Sequence, residues 1–408
     1  MSVDALRGFD MFWIIGADAL VYALNRMSQT RPTSFLATQL EHAEWEGFHF
    51  YDLIFPLFIF IVGVSLVYSL TRTIAEAGRA EALRRIFRRS VLLFALGIFY
   101  SGGLTNQWPD VRLMGVLNRI ALAYFFAGLL FCFFRPRALV AICVAILAGY
   151  WGLMTLAPIR DIQLTKSNLA RLAEAAGDGQ TAALFKAERN PSAETNSPAW
   201  AAAEKMFYAT TNRVSGKFDA GLNLANHIDF QYLPGRKYDV FFDPEGYLST
   251  IPAVVTCLLG AFAGLLLRAQ SLQGKQKVMW LIAFGIVSVA LGWMWGVQFP
   301  VIKKIWTSSY VLVAGGYSCM LLAAFYAIVD LLQFRRWAQP FIWIGANPLV
   351  LYVTDEFLSF ETQAKRIVGG DIHASLGTWG DILLYLVSVG LMLAMARFLY
   401  KRQIFLRA

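Results

Sequence analysis

The sequence predicts an all-α polytopic membrane protein, a bundle of about ten transmembrane helices with one large extracytoplasmic loop. Three observations carry that expectation. Of the 408 residues, 57% are hydrophobic and 15% charged, and the mean hydropathy is +0.52, which is too apolar for a soluble multidomain chain. Apolar stretches of about 20 residues, the length that crosses a bilayer, recur along the chain. Lys and Arg gather in alternate short loops, as the positive-inside rule requires.

The spans are expected over roughly 9–26, 50–70, 89–105, 113–134, 138–157, 247–267, 278–297, 307–332, 338–358 and 378–399. The loop after the second carries Arg72, Arg79, Arg84, Arg85, Arg88 and Arg89. Arg135 and Arg137 follow the fourth span, Arg268, Lys275 and Lys277 the sixth, and Arg335 and Arg336 the eighth, while Lys401, Arg402 and Arg407 lie in the tail. All fall on one side, which puts both termini in the cytoplasm. Lys303 and Lys304 are the clearest exceptions. The net charge of +9 thus encodes orientation and does not call for nucleic acid. Asp10 and Asp18 interrupt the first apolar run and no small-residue cleavage site follows, so no cleavable signal peptide is expected. The four cysteines sit inside apolar stretches and read as buried thiols.

Three regions follow: 1–157 with the first five spans, the loop 158–246, and 247–408 with the last five. The loop is polar, and its segment 168–189 has helix-forming composition. A loop this long is functional or disordered, and it is placed to help cover a site on the outer face. Gly260 and Gly264 form a small-xxx-small pair, readable as a dimer face or as packing within the bundle; the second is the more general use.

Ionisable groups inside spans are functional hypotheses by default. Asp18 falls in the middle of span one, Asp52 opens span two, Arg119 lies about two turns into span four, and Asn347 is near the middle of span nine, which Asp355 and Glu356 end. With His42 arriving from its loop, Asp18, Asp52, Arg119, Asp355 and Glu356 converge on one non-cytoplasmic level, as in a polar cavity entered from outside. The plainer reading makes Asp52–Arg119 a structural pair, Asp4–Arg7 a surface pair and His42 a solvated loop residue. No metal site is expected, since neither Cys-x-x-Cys nor His-x-x-x-His occurs, and no nucleotide fingerprint is present.

The stretches "SVDALRGFDMFWIIGAD" (2–18), "HAEWEGFHFYDLIFPLFIFIVGVS" (42–65), "GVLNRIALAY" (115–124), "FFDPEGYLSTIPAV" (241–254), "GANPLVLYV" (345–353) and "YKRQIFLRA" (400–408) resemble, in order, those of heparan-α-glucosaminide N-acetyltransferase and its bacterial homologues. The resemblance covers nearly all the spans, is weakest over 158–215, and is nearer the bacterial members. It implies a multi-pass enzyme of a bacterial inner membrane, where lysosomal turnover is irrelevant, acetyl-CoA approaches from the cytoplasm and an amino sugar is acetylated on the far side. It also implies a homodimer. The family's H-x-x-W-x-G histidine falls on His42, followed by Trp45 and Gly47. Departures occur where the lysosomal enzyme's asparagine is Asp18, the glutamine before the fourth-span arginine is Asn118, and a histidine is Asp355.

Amide formation from a thioester requires the amine to lose a proton, and a histidine accepts one near neutral pH. His42 is the candidate base, with Asp18 or Asp52 raising its basicity and fixing its tautomer. Trp45, Asn347, Asp355, Glu356, Arg119 and Glu245 are candidate acceptor-binding residues, and Asn347 or Arg119 a candidate oxyanion donor. Arg7, Arg88 and Arg119 are candidate contacts to acetyl-CoA. An acyl-histidine route stays open beside the general-base route. Rival readings are a proton-coupled secondary transporter of an amino sugar and an O-acyltransferase of a cell-envelope glycan.

Overall fold

Apolar runs become helices here, and the breaks between them fall where glycine, proline or a polar cap interrupts the pattern. The computed structural model describes residues 1–103, 105, 107–187 and 197–405. Helices α1 (Ser2–Phe12) and α2 (Asp18–Ser28) are the halves of the expected first span. A π-helical turn over Trp13–Ala17 separates them, and Gly16 there adopts φ 99°, a left-handed value that costs glycine little. Asp18 therefore opens a helix, where the hydropathy pattern had put it mid-span.

After α3 (Arg31–Gln39), an extended segment leads into α4 (Phe50–Tyr100), a run of 51 residues. It joins the expected second and third spans and breaks its helical geometry at Gly78, with φ 83°. The arginine-rich stretch between those spans, expected as a loop, is helical. Its Ala, Glu and Arg content favours helix, and Arg72 pairs with Glu76 one turn on at 2.8 Å. Helices α5 (Val116–Phe133) and α6 (Pro136–Leu156) match the expected fourth and fifth spans.

The described residues of 158–246 form a folded cap. It contains α7 (Lys166–Ala175), α8 (Gly179–Lys186), α9 (Pro198–Ala209) and α10 (Leu224–Tyr232). Each begins on a side-chain cap, from Thr165, Asp178, Ser197 and Asn223 respectively. Gly177, with φ 77°, splits the expected helix 168–189 in two, and residues 188–189 lie outside those described. The cap has its own apolar core, including Leu164, Leu169, Phe185, Phe207 and Phe241. Strands β1 (Ile159–Arg160) and β2 (Arg213–Val214) pair antiparallel, Ile159 opposite Val214. That pairing closes the base of the stretch where the family resemblance is weakest.

The second half runs through α11 (Tyr247–Arg268), α12 (Gly274–Gly296) and α13 (Ser308–Phe325), which a π-helical turn extends to Leu331. The expected ninth span is broken into α14 (Gln339–Ala346) and α15 (Pro348–Leu358), because Pro348 has no N–H to continue the helix. Helices α16 (Phe360–Val368), α17 (Asp371–Leu376) and α18 (Thr378–Lys401) follow. Among the described residues, seven helices are long and apolar enough to cross a membrane: α4, α5, α6, α11, α12, α13 with its extension, and α18. Of the tail arginines, Arg407 lies outside the described residues.

Helices α4 and α11 meet backbone to backbone. A Cβ on Gly260 would stand 1.9 Å from the carbonyl oxygen of Phe60, and one on Gly264 2.9 Å from that of Val64. The small-xxx-small pair thus serves packing within the bundle.

Candidate functional site

The segment between α3 and α4 carries His42 and is pinned at both ends. The Gly47 amide donates to the Val301 carbonyl at 2.9 Å, and Glu46 bridges Ile302 in antiparallel fashion. Asp52, in the first turn of α4, accepts the His49 and Ala43 amides on Oδ2 at 3.0 and 3.1 Å. A carboxylate at a helix N-terminus is stabilised by the unpaired amides there. The same side chain therefore starts the helix and holds the loop.

Its other oxygen, Oδ1, lies 2.9 Å from His42 Nδ1. The Asp52 side chain is 1% exposed, whereas that of His42 is 51% exposed. An ionised carboxylate only accepts, so the neutral imidazole donates from Nδ1 and keeps its lone pair on Nε2. The Lys303 ammonium stands 3.0 Å from Nδ1, 3.3 Å from Nε2 and 3.5 Å from Asp52 Oδ1. The Tyr51 ring lies 4.8 Å from that of His42, and its hydroxyl bonds to Asp18. Trp45 donates from Nε1 to the Phe218 carbonyl at 2.8 Å and meets Phe242 edge-on, tying the histidine loop to the cap.

His42, Trp45, Asp52, Arg119, Glu245 and Lys303 all line one cavity of about 320 Å³. A smaller apolar cavity of about 30 Å³, bounded by Met11, Phe58 and Leu349, shares Ile14, Phe55, Val116 and Tyr352 with it. The two cavities thus adjoin, the second lying among residues of α1, α4, α5 and α15.

Arg119 is fully buried. Its Nη2 donates to the Pro244 carbonyl at 2.6 Å and to the Ser249 hydroxyl, and its guanidinium stacks on Trp306 at 4.7 Å. The expected Asp52–Arg119 pair does not form, because Asp52 is taken by the histidine loop and Lys303 while Arg119 is drawn to the cap–α11 junction. Arg119 Nε finds no acceptor among the described residues.

Arg112 organises the cap side of the cavity. It makes a forked pair with Asp243 at 2.9 and 2.8 Å and reaches Glu245 at 2.8 Å. Burial, followed by the neighbouring Asp243 carboxylate, pushes Glu245 up to about 7. Burial also draws the Lys303 ammonium below its ordinary value, while Asp52 and Glu245 oppose that shift.

The convergence expected from the sequence is partial. His42, Asp52, Trp45, Arg119 and Glu245 meet at the cavity, and Asp18 stands behind Tyr51. Asp355 and Glu356 do not line it: Asp355 Oδ1 accepts the Phe360 amide at 3.0 Å across the α15–α16 turn, and Glu356 is exposed. Asn347 is buried and donates to the Ile404 carbonyl at 2.9 Å, holding the tail. Arg7 pairs with Asp4 and bonds Ser65 Oγ and the Gly345 carbonyl, and Arg88 is exposed on α4. Neither lines the cavity. Sequence reasoning gave no role to Lys303 or Arg112; the one signal for Lys303 was its place as an exception to the charge rule.

Residues 1–169 match a family model described as heparan-alpha-glucosaminide N-acetyltransferase, catalytic. The chain is 26% identical over 394 residues to heparan-alpha-glucosaminide N-acetyltransferase of Mus musculus, an alignment covering 90% of the chain and 56% of that protein. It is 27% identical over 404 residues to the Homo sapiens protein of the same name, covering 90% and 55%. The chain thus spans about half the length of the relatives it matches. His42, Trp45, Asp52 and Arg119 fall inside the matched segment 1–169, and Glu245 and Lys303 beyond it.

Proposed function

We propose, from the similarity of the chain to heparan-alpha-glucosaminide N-acetyltransferases, that it is a membrane acetyltransferase of that kind and moves an acetyl group from cytoplasmic acetyl-CoA to the amino group of glucosamine or a glucosamine-containing sugar. In this reading the membrane is a bacterial inner membrane, both termini are cytoplasmic, and the cap stands on the periplasmic side.

The observation that carries the proposal is the His42–Asp52 pair, 2.9 Å apart, at the wall of a cavity that adjoins a small apolar cavity within the bundle. His42 Nε2 takes the proton that the amine must lose. Asp52 holds Nδ1–H, fixing the tautomer and steadying the imidazolium that forms. The ammonium first sheds one proton to bulk water; the amine nitrogen then attacks the thioester carbonyl as His42 Nε2 takes a second proton from it, a C–N bond forms, the C–S bond breaks, and the imidazolium returns that second proton to the departing CoA sulfur. Arg119, whose Nε lacks an acceptor among the described residues, supplies a donor for the oxyanion. Glu245 holds the acceptor's ammonium before deprotonation, and Trp45 offers an apolar face to the sugar ring. Arg88 is left as a contact for the CoA phosphates.

Purified protein in proteoliposomes, supplied with labelled acetyl-CoA and glucosamine, tests this reading. It requires labelled N-acetylglucosamine that depends on the acetyl donor. Glucosamine crossing the bilayer without acetylation would instead make the protein a transporter.

A further inference from the structure

Lys303 is a cation on the face where the charge rule expects few. The Glu46–Ile302 bridge and the Gly47–Val301 hydrogen bond fix its loop against the histidine loop. Its Nζ lies within 3.5 Å of both imidazole nitrogens and of Asp52 Oδ1. A carboxylate alone beside an imidazole raises its proton affinity and holds a proton on it; an imidazole already protonated cannot act as a base. An ammonium at the same distance acts with the opposite sign.

We propose that Lys303 is a positioning residue that keeps His42 uncharged: Asp52 fixes the tautomer, and the Lys303 ammonium offsets the proton affinity that the carboxylate adds. The groups facing His42 are consistent with this division. Asp52 and Tyr51 approach from α4, and Asp18, bonded to the Tyr51 hydroxyl, is a second carboxylate whose charge acts on His42. Glu245, Arg112 and Lys304 line the far side of the cavity, where Arg112 is paired with Glu245 and Lys304 with Asp239. Lys303 is the cation in hydrogen-bond reach of the ring. The catalytic consequence rests on the reading of His42 as the base; the electrostatic coupling does not.

The test is a histidine NMR titration of the full chain in nanodiscs. The sequence has four histidines, and His42→Gln assigns the signal of His42. Lys303→Met is expected to raise the His42 midpoint by about one pH unit, the effect of removing a unit charge at contact distance in a largely solvated site. Lys303→Arg, which keeps the charge, is expected to stay near wild type and controls for folding. In acetyl-transfer assays the acid limb of kcat/KM moves to higher pH by the same amount in Lys303→Met. A midpoint that stays put or falls in Lys303→Met overturns the proposal. A raised midpoint with no acetyl transfer even in wild type upholds the role of Lys303 and removes the acetyltransferase reading.

Discussion

His42 Nδ1 stands 2.9 Å from the Oδ1 of Asp52, whose other oxygen caps the helix that follows. The proposed catalytic geometry and the start of α4 thus depend on one carboxylate. Asp52→Asn keeps the size and one acceptor but removes the anion, and it allows the wrong imidazole tautomer. Its turnover is expected to fall by about 100-fold or more while the protein still folds. Acetyl-transfer rates measured beside a thermal melt check this; turnover within about threefold of wild type would detach Asp52 from the chemistry.

Glu245 sits opposite, buried and raised to about 7. Its ionised fraction therefore grows as pH rises through neutrality, and with it the attraction for an ammonium. The KM for the amino sugar is expected to be about tenfold higher in Glu245→Gln, the loss of roughly 1.4 kcal/mol of binding, with kcat little changed. The variant also loses the part of the KM fall between pH 6 and 8 that comes from this carboxyl. Steady-state kinetics across that range, comparing the two proteins, decide it. A drop confined to kcat would place Glu245 in the chemical step instead.

Two buried groups of the cap respond to acid with opposite signs. Burial holds His227 down at about 4 from 6.5, so its contribution is present above pH 6.5 and lost as pH falls towards 4. It amounts to about 3 kcal/mol. Burial raises Asp229 to about 7, so its contribution is present at low pH and lost as pH rises through 7. Asp229→Asn removes the second and leaves the first. Hydrogen exchange over 159–242, corrected for the intrinsic rate, is expected to show a cap more acid-labile than wild type between pH 6.5 and 4. Equal acid sensitivity in the two proteins would contradict this assignment.

Gly260 lets α11 approach the backbone of α4, since an added Cβ would sit 1.9 Å from the Phe60 carbonyl oxygen. Gly260→Val should destabilise the bundle by about 2 kcal/mol or more. A detergent melt monitored by size exclusion is expected to show a lower Tm of the folded chain. Dissociation of an oligomer with an unchanged melt of the chain would return this face to a dimer interface.

The spans were legible because a bilayer imposes length and apolarity together, and that pattern survives in α5, α6, α11, α12, α13 and α18. Their breaks were less so: hydropathy averages across Gly16 and Pro348, so Asp18 was set in mid-span and α14–α15 was read as one helix. His42, Trp45, Asp52, Arg119 and Glu245 could be found as polar groups in apolar surroundings or in family motifs. Asp355 and Glu356 carry the same signal, yet Asp355 serves a turn and Glu356 stands exposed beside Tyr100, because a charge at the end of an apolar run marks a constraint without saying which. Lys303 and Arg112 reach the cavity through contacts to the 42–52 and 243–245 segments, pairings between distant parts of the chain that no local pattern reports.

In the proposed reaction His42 is the base at which an amine meets the thioester. The most direct measurement compares His42→Ala with wild type for acetyl transfer and for acetyl-CoA binding in the same membranes. Transfer is expected to be lost while acetyl-CoA binding is largely kept. Near-normal transfer in His42→Ala would contradict that role.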